Sequence, residues 1–102
     1  MSHHHAAWFS LIALLASGCV SQIVPVEDHA KSWIGRPLAD YKAMGARSKT
    51  YAASIGWSEK WTQLANGNRE FLVPVREDCL IRWEVDSHET IVAYRTEGAR
   101  CY

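Results

Sequence analysis

Cys79-Leu80-Ile81-Arg82-Trp83-Glu84-Val85-Asp86 is the stretch on which the fold turns. Cys79, Ile81, Trp83 and Val85 alternate with Leu80, Arg82, Glu84 and Asp86, the period of a half-buried β-strand. Ser87-His88-Glu89 breaks the pattern as a turn, and Thr90 to Thr96 returns as a run of β-branched and aromatic residues, so the two segments read as a hairpin. Gly98 allows a bend after it, and Cys79 and Cys101 bracket the whole unit. Working upstream, Asn66-Gly67 is a strong hairpin signal, because both central residues of a type I′ turn need positive φ. It joins a segment from Trp57 to Leu64 to one from Glu70 to Val75, although Trp57 and Trp61 would also share a helical face. Pro74 cannot donate to a ladder, so its strand is expected at an edge or ends there. Thr50 to Ile55 is read as a further extended segment.

Two short helices precede the strands. Ala30, Trp33 and Ile34 fall on one helical face of a segment from Asp28 to Ile34, and Gly35 suits a helix stop. Pro37 sits where a helix can start. Leu38, Tyr41 and Met44 then recur at three-residue spacing, and Gly45 is expected to end the helix. The expected fold class is therefore α+β, with two short N-terminal helices packed on a three- to four-stranded antiparallel meander over residues 29–102.

The amino-terminal region has a different character. Ala6 to Gly18 is an apolar run of 13 residues that ends in small residues and then Cys19. That is shorter than the roughly 20 residues that a membrane-spanning helix needs. All 11 Lys and Arg and all 11 Asp and Glu lie after Cys19, so the charge boundary is sharp. This run resembles the signal peptide and lipobox of a bacterial lipoprotein. It departs from that pattern in having only His3, His4 and His5 as basic side chains before the apolar run, and Ala16 three positions before the cysteine. The resemblance implies cleavage of residues 1–18, palmitate-type acylation of Cys19 and a tether over 19–28. Val20 follows Cys19 where an Asp would favour inner-membrane retention, so the resemblance implies the periplasmic face of the outer membrane. An ordinary secretory signal with small residues before its cut site is the alternative.

Cleavage there leaves 84 residues, enough for one small domain that is marginal without extra support. With Cys19 assigned to lipid, Cys79 and Cys101 remain as an even pair, and export implies an oxidising compartment where a disulfide is expected. It would clamp the base of the last hairpin and contribute roughly 3 kcal/mol in the chain-entropy model. A metal site of Cys79, Cys101 and His88 is the weaker alternative, since these residues have no recognised zinc spacing.

A further resemblance covers residues 30 to 101. Trp33-Ile34-Gly35, the helix ending at Gly45, Cys79 with Trp83 and Val85-Asp86, Ile91, and Gly98 with Cys101 resemble the small outer-membrane lipoproteins of the SmpA/OmlA (BamE-like) family. The resemblance implies the fold and a role in outer-membrane assembly or envelope integrity. Gly45-Ala46-Arg47 lacks the proline that often follows that glycine, and no binding residues carry over.

The formal net charge is zero, and no Lys/Arg stripe points to nucleic acid. An apolar fraction of 48% and the four tryptophans after Cys19 argue against disorder. No phosphate-cradling glycine loop and no nucleophile elbow is present. His88 between Asp86 and Glu89 could serve a metal or acid–base chemistry, but a solvated turn accounts for it more simply. Glu27-Asp28 and Glu77-Asp78 read as solvated charge pairs. The expectation is a non-enzymatic protein without cofactor or metal. Four tryptophans are many for so small a core. Trp57 and Trp61, with Arg82, Tyr94 and Arg95, are therefore candidates for an exposed partner-binding patch, because Trp, Tyr and Arg dominate interface hot spots. The leading expectation is a lipid-anchored envelope protein that contacts an envelope partner. The alternative is a periplasmic module that inhibits or sequesters an exported enzyme.

Overall fold

The computed structural model describes residues 24–102. The expected signal peptide 1–18, the lipidation site Cys19 and residues 20–23 of the tether lie outside the described residues. The chain forms α1 (Val26–Lys31), α2 (Leu38–Arg47), α3 (Tyr51–Ser54), β1 (Lys60–Gln63), β2 (Arg69–Arg76), β3 (Cys79–Val85) and β4 (Ile91–Glu97). The strands make one antiparallel sheet in the order β1-β2-β3-β4, a four-stranded meander, so the architecture is α+β as the sequence implied.

The alternation in β3 sets the sheet's two faces. Cys79, Ile81, Trp83 and Val85 are buried, and Leu80, Arg82 and Glu84 between them are half-exposed. Register carries Trp83 opposite Phe71 on one side and Tyr94 on the other, while Phe71 opposes Trp61. One aromatic row therefore crosses the whole sheet on its inner face. Helices cover that face with Ala30 and Trp33 near α1 and Leu38 and Tyr41 on α2, all buried. Tyr41 lies 4.9 Å from the Trp83 ring and 5.2 Å from the Trp33 ring, centroid to centroid. These tilted and edge-on contacts are the favoured aromatic geometries and add to the area that the rings bury. Trp83 is fully buried, and its Nε1 has no hydrogen-bond partner of regular geometry. Its indole still opposes, less strongly, the burial that pushes the Tyr41 phenol up.

The joint between α1 and α2 is held by backbone. Gly35 donates to the Ile91 carbonyl at 2.7 Å, Ile91 donates to Arg36 at 2.9 Å, and Leu38 donates to Glu89 at 2.9 Å. These bonds fasten the helix layer to the start of β4, beside the packing of Tyr41 on Trp83.

Several local expectations are corrected. α1 begins at Val26, inside the segment expected as tether, and stops at Lys31, so Ile34 leaves the helical face and is 45% exposed. α2 runs through Gly45 to Arg47. Residues 50–55 are not extended: Thr50 accepts from Ala53 N through its hydroxyl at 3.1 Å and caps α3. The two alanines that follow favour the helix. β1 starts only at Lys60, leaving Trp57 outside it. The Asn66-Gly67 hairpin exists, but Gly67 alone has positive φ there, and Leu64 pairs with Asn68 around three intervening residues. That is the longer glycine-containing hairpin loop, not the two-residue type I′ turn. Pro74 lies in a strand with neighbours on both sides. β1 pairs only with Arg69 to Leu72, however, so Pro74 lies past its end, where no donor to β1 is needed.

The carboxyl end is tied to the β2–β3 turn. Cys79 and Cys101 Sγ atoms are 2.09 Å apart, at disulfide distance. Asp78, at φ 55°, accepts Arg100 N on its carbonyl at 3.1 Å and Ala99 N on its carboxylate at 3.2 Å. Gly98 passes so close that a Cβ there would stand 2.1 Å from the Asp78 carbonyl oxygen.

Candidate functional site

The meander leaves one face of β2 incompletely covered. α2 lies beside it, and α3 packs on the part of β2 that β1 does not reach. Between them opens a groove of about 710 Å³. Its floor is Phe71, Val73 and Val75 of β2, and its walls include Tyr41, Met44, Gly45 and Ala46 of α2, Ala52 of α3, and Trp57. The groove exists because Gly45, Ala46 and Ala52 are too small to fill the angle between the helices and the strand. His29 of α1 reaches one part of it.

The polar groups at the rim are largely engaged. Lys42 Nζ and the Trp61 indole N–H both donate to Glu59 Oε1, at 2.9 Å and 2.8 Å. The Lys42 hydrogen bond comes first among the causes that hold the Glu59 carboxyl below its ordinary range, followed by that of Trp61. Trp57 Nε1 donates to the Leu72 carbonyl at 3.2 Å, and the Lys60 ammonium lies 4.3 Å from the Trp57 ring centroid. What remains is a mostly apolar concavity, of the size and character that hold apolar ligands or side chains of a partner.

The five residues proposed as a partner patch do not share a surface. Trp61 and Tyr94 belong to the inner aromatic row and pack against the core. Trp57 lines the groove. Arg82 and Arg95 face the opposite side of the sheet, directly across from each other in register. There they converge on Glu70, which is only 2% exposed. Arg95 grips the Glu70 carboxylate with Nε and Nη2, both at 3.0 Å, while Arg82 Nη1 stands 3.6 Å away and its Nη2 reaches Glu97 at 3.3 Å. The Arg95 hydrogen bonds hold the Glu70 carboxyl below its ordinary range against the burial that raises it. Glu84 completes this polar face by accepting from Asn68 at 2.8 Å and Asn66 at 3.2 Å. Sequence alternation placed Arg82 outward, but nothing local signalled that Glu70, two strands from Arg95, was its partner.

Tyr94 is engaged as well. Its hydroxyl donates to Glu27 of α1, and that bond pushes its pKa up to about 12. The His88 turn is built for conformation: Asp86 Oδ1 accepts His88 N at 2.9 Å and Thr90 N at 3.0 Å, and Glu89 pairs with Arg69. Among the described residues, no three His, Cys, Asp or Glu side chains are grouped to hold a metal.

No protein-family model matches the chain, and no curated protein and no solved structure matches it significantly.

Proposed function

We propose that this chain is a lipid-anchored protein of the bacterial cell envelope, held at Cys19 on the periplasmic face of the outer membrane. Its role is protein binding or structural support, without catalysis, in outer-membrane assembly or integrity. The observation that carries the reading is the uncharged apolar run from Ala6 to Gly18 that stops at Cys19, with every charged Lys, Arg, Asp and Glu beyond it. The resemblance to SmpA/OmlA-type lipoproteins points the same way. A cysteine pair at disulfide distance suits an oxidising compartment. The groove beside α2 supports a binding role, since it offers an apolar partner segment a preformed seat with Trp57 at its side.

The test is the intact mass of protein taken from the native membrane fraction, before and after reduction. The reading requires a chain that starts at Cys19, carries acyl groups and gains two hydrogens on reduction. An unacylated chain would remove the lipoprotein reading and leave a periplasmic binding module, of the kind that sequesters an exported enzyme, as the favoured account. Co-purification from detergent then identifies the partner class, membrane-assembly protein or soluble hydrolase.

A further inference from the structure

We propose that the groove between α2, α3 and β2 seats one of the acyl chains carried on Cys19 of the same molecule whenever the lipidated chain is out of a bilayer. The inference rests on the lipoprotein reading above and assigns a ligand class, a saturated hydrocarbon chain, to its groove.

Three observations carry it. The first is chemical. The floor and walls are mainly hydrocarbon and aromatic, with His29, Thr50 and Tyr51 as further polar side chains; the charged pair at the rim, Lys42 and Glu59, is spent on itself and on Trp61, and the Thr50 hydroxyl on Ala53 N. The indole of Trp57 is likewise committed to the Leu72 carbonyl. Such a surface matches an occupant that brings apolar area and asks for no hydrogen bonds in return. Its volume of about 710 Å³ lies within the usual range for small-molecule sites, about 300–1,000 Å³.

The second is geometric. The groove is reached by α1, whose His29 lines it. The described chain begins at Val24, five residue steps after Cys19. Those steps extend to at most about 18 Å and the two from Val24 to Val26 to about 7 Å, and the helical rise from Val26 to His29 adds about 4.5 Å. The attachment point of the acyl chains is therefore tethered within about 30 Å of His29, a span from which they can reach the groove.

The third is thermodynamic. In a bilayer an acyl chain is already in hydrocarbon and gains nothing by entering the groove. In water it exposes apolar surface and gains by burial. The groove is thus filled while the protein is away from a membrane and emptied when all of its chains insert. A multiply acylated cysteine can release one chain and keep stable attachment through the others. Lipid and partner segment would compete for one seat, so the partner finds the groove open only on the membrane-inserted form.

The experiment places the photocrosslinker p-benzoylphenylalanine at Ala46, an exposed residue of α2 that lines the groove, in the full acylated chain. The same probe at Ala43, exposed on α2 but facing a different depression beside Trp33 and Arg36, is the control. Each protein is irradiated in dilute detergent-free buffer and in phosphatidylcholine vesicles, and the products are mapped by mass spectrometry. In buffer, the probe at 46 should attach to the Cys19 acyl group within a single chain, and the probe at 43 should not. In vesicles the yield should fall about tenfold or more, because the bilayer competes for the chain. A probe at 46 that links two chains, or that reaches no acyl group although the intact mass shows acylation, overturns the inference and leaves the lipoprotein reading standing. Equal yields at 43 and 46 also overturn it. An intact mass without acyl groups sinks both together.

Discussion

Gly98→Ala should be the most damaging single-methyl addition in this domain, and the reason is one contact. The added Cβ would stand 2.1 Å from the Asp78 carbonyl oxygen and 2.7 Å from its carbon, both backbone atoms that no rotamer change can move. Gly98 also has φ +128°, a region that L-residues rarely adopt. The conformational cost alone is about 1–3 kcal/mol, offset by about 0.4–1 kcal/mol from the stiffer unfolded chain. Relief of the clash requires the Asp78 turn to shift. That shift weakens the bonds from Arg100 N and Ala99 N, and about 1 kcal/mol is at stake in each. A total near 2–4 kcal/mol follows, a large part of the stability of a domain this small.

Gly67→Ala separates the two contributions. Gly67 also has positive φ, at +90°, but a Cβ there meets nothing within 4 Å. It should cost about 1–2 kcal/mol, the conformational part alone. Urea and thermal unfolding of both variants, with the cysteine pair oxidised, measure the difference. Gly98→Ala should lower Tm by more than about 10 °C, at the roughly 4–8 °C per kcal/mol expected for a domain of this length. If Gly98→Ala costs no more than Gly67→Ala, the packing of the carboxyl end on Asp78 does not limit stability, and the reasoning fails.

Other outcomes test other parts of the fold. Cys79→Ser and Cys101→Ser should each destabilise by roughly 3 kcal/mol, and the double variant by little more, since both remove one bond; additive losses in urea would refute a shared disulfide. Trp83→Ala should cost about 3–5 kcal/mol as the fully buried centre of the aromatic row, read from the same unfolding curves, and a loss below about 1 kcal/mol would mean that the row is not the core. Glu70→Gln should lower stability at neutral pH and flatten its acid limb. The native Glu70 carboxyl is held below the unfolded value of about 4.3, so its contribution is present above that pH and is lost as pH falls through the lower native value. Urea midpoints of wild type and variant should therefore converge as pH drops from 7 to 3, and a constant gap would show that the Arg95 pair does not set the titration.

The parts of this fold that were legible in the sequence are those fixed by period and by punctuation. Alternation located β3 from its start at Cys79 to within one residue of its end at Val85, because Ile81, Trp83 and Val85 each sit on a face that a one-residue slip would expose. Leu38 and Tyr41 were legible for the same reason at helical spacing. What misled was residues whose preference depends on what lies beside them. Gly45 reads as a stop, yet α2 continues through it, since a mid-helix glycine costs only about 1 kcal/mol and packing decides. Thr50 to Ile55 reads as a further extended segment, yet the Thr50 hydroxyl caps the alanines that follow.

The same distinction explains why the groove and the charged face were missed. A groove is made by what side chains fail to fill, and Gly45, Ala46 and Ala52 become its walls only once α3 is known to be helical and to lie against β2. With residues 50–55 extended, no such angle exists. Exposure is a parallel case: of the five candidate residues Arg95 is exposed, while Trp57, Trp61, Arg82 and Tyr94 are half-buried. Residue type alone nominates Trp, Tyr and Arg, but a cross-strand partner two strands away decides whether an arginine is free. Glu70 is central to that question, and its burial follows from the register of β2 against β3, which no local pattern encodes. The site therefore turns on two tertiary facts, the turn of α3 and the register of β2. A substitution that unwinds α3 without touching the groove floor, such as Ala53→Pro, should abolish the acyl-chain crosslink at position 46 while the β3–β4 hairpin keeps its cysteine pair.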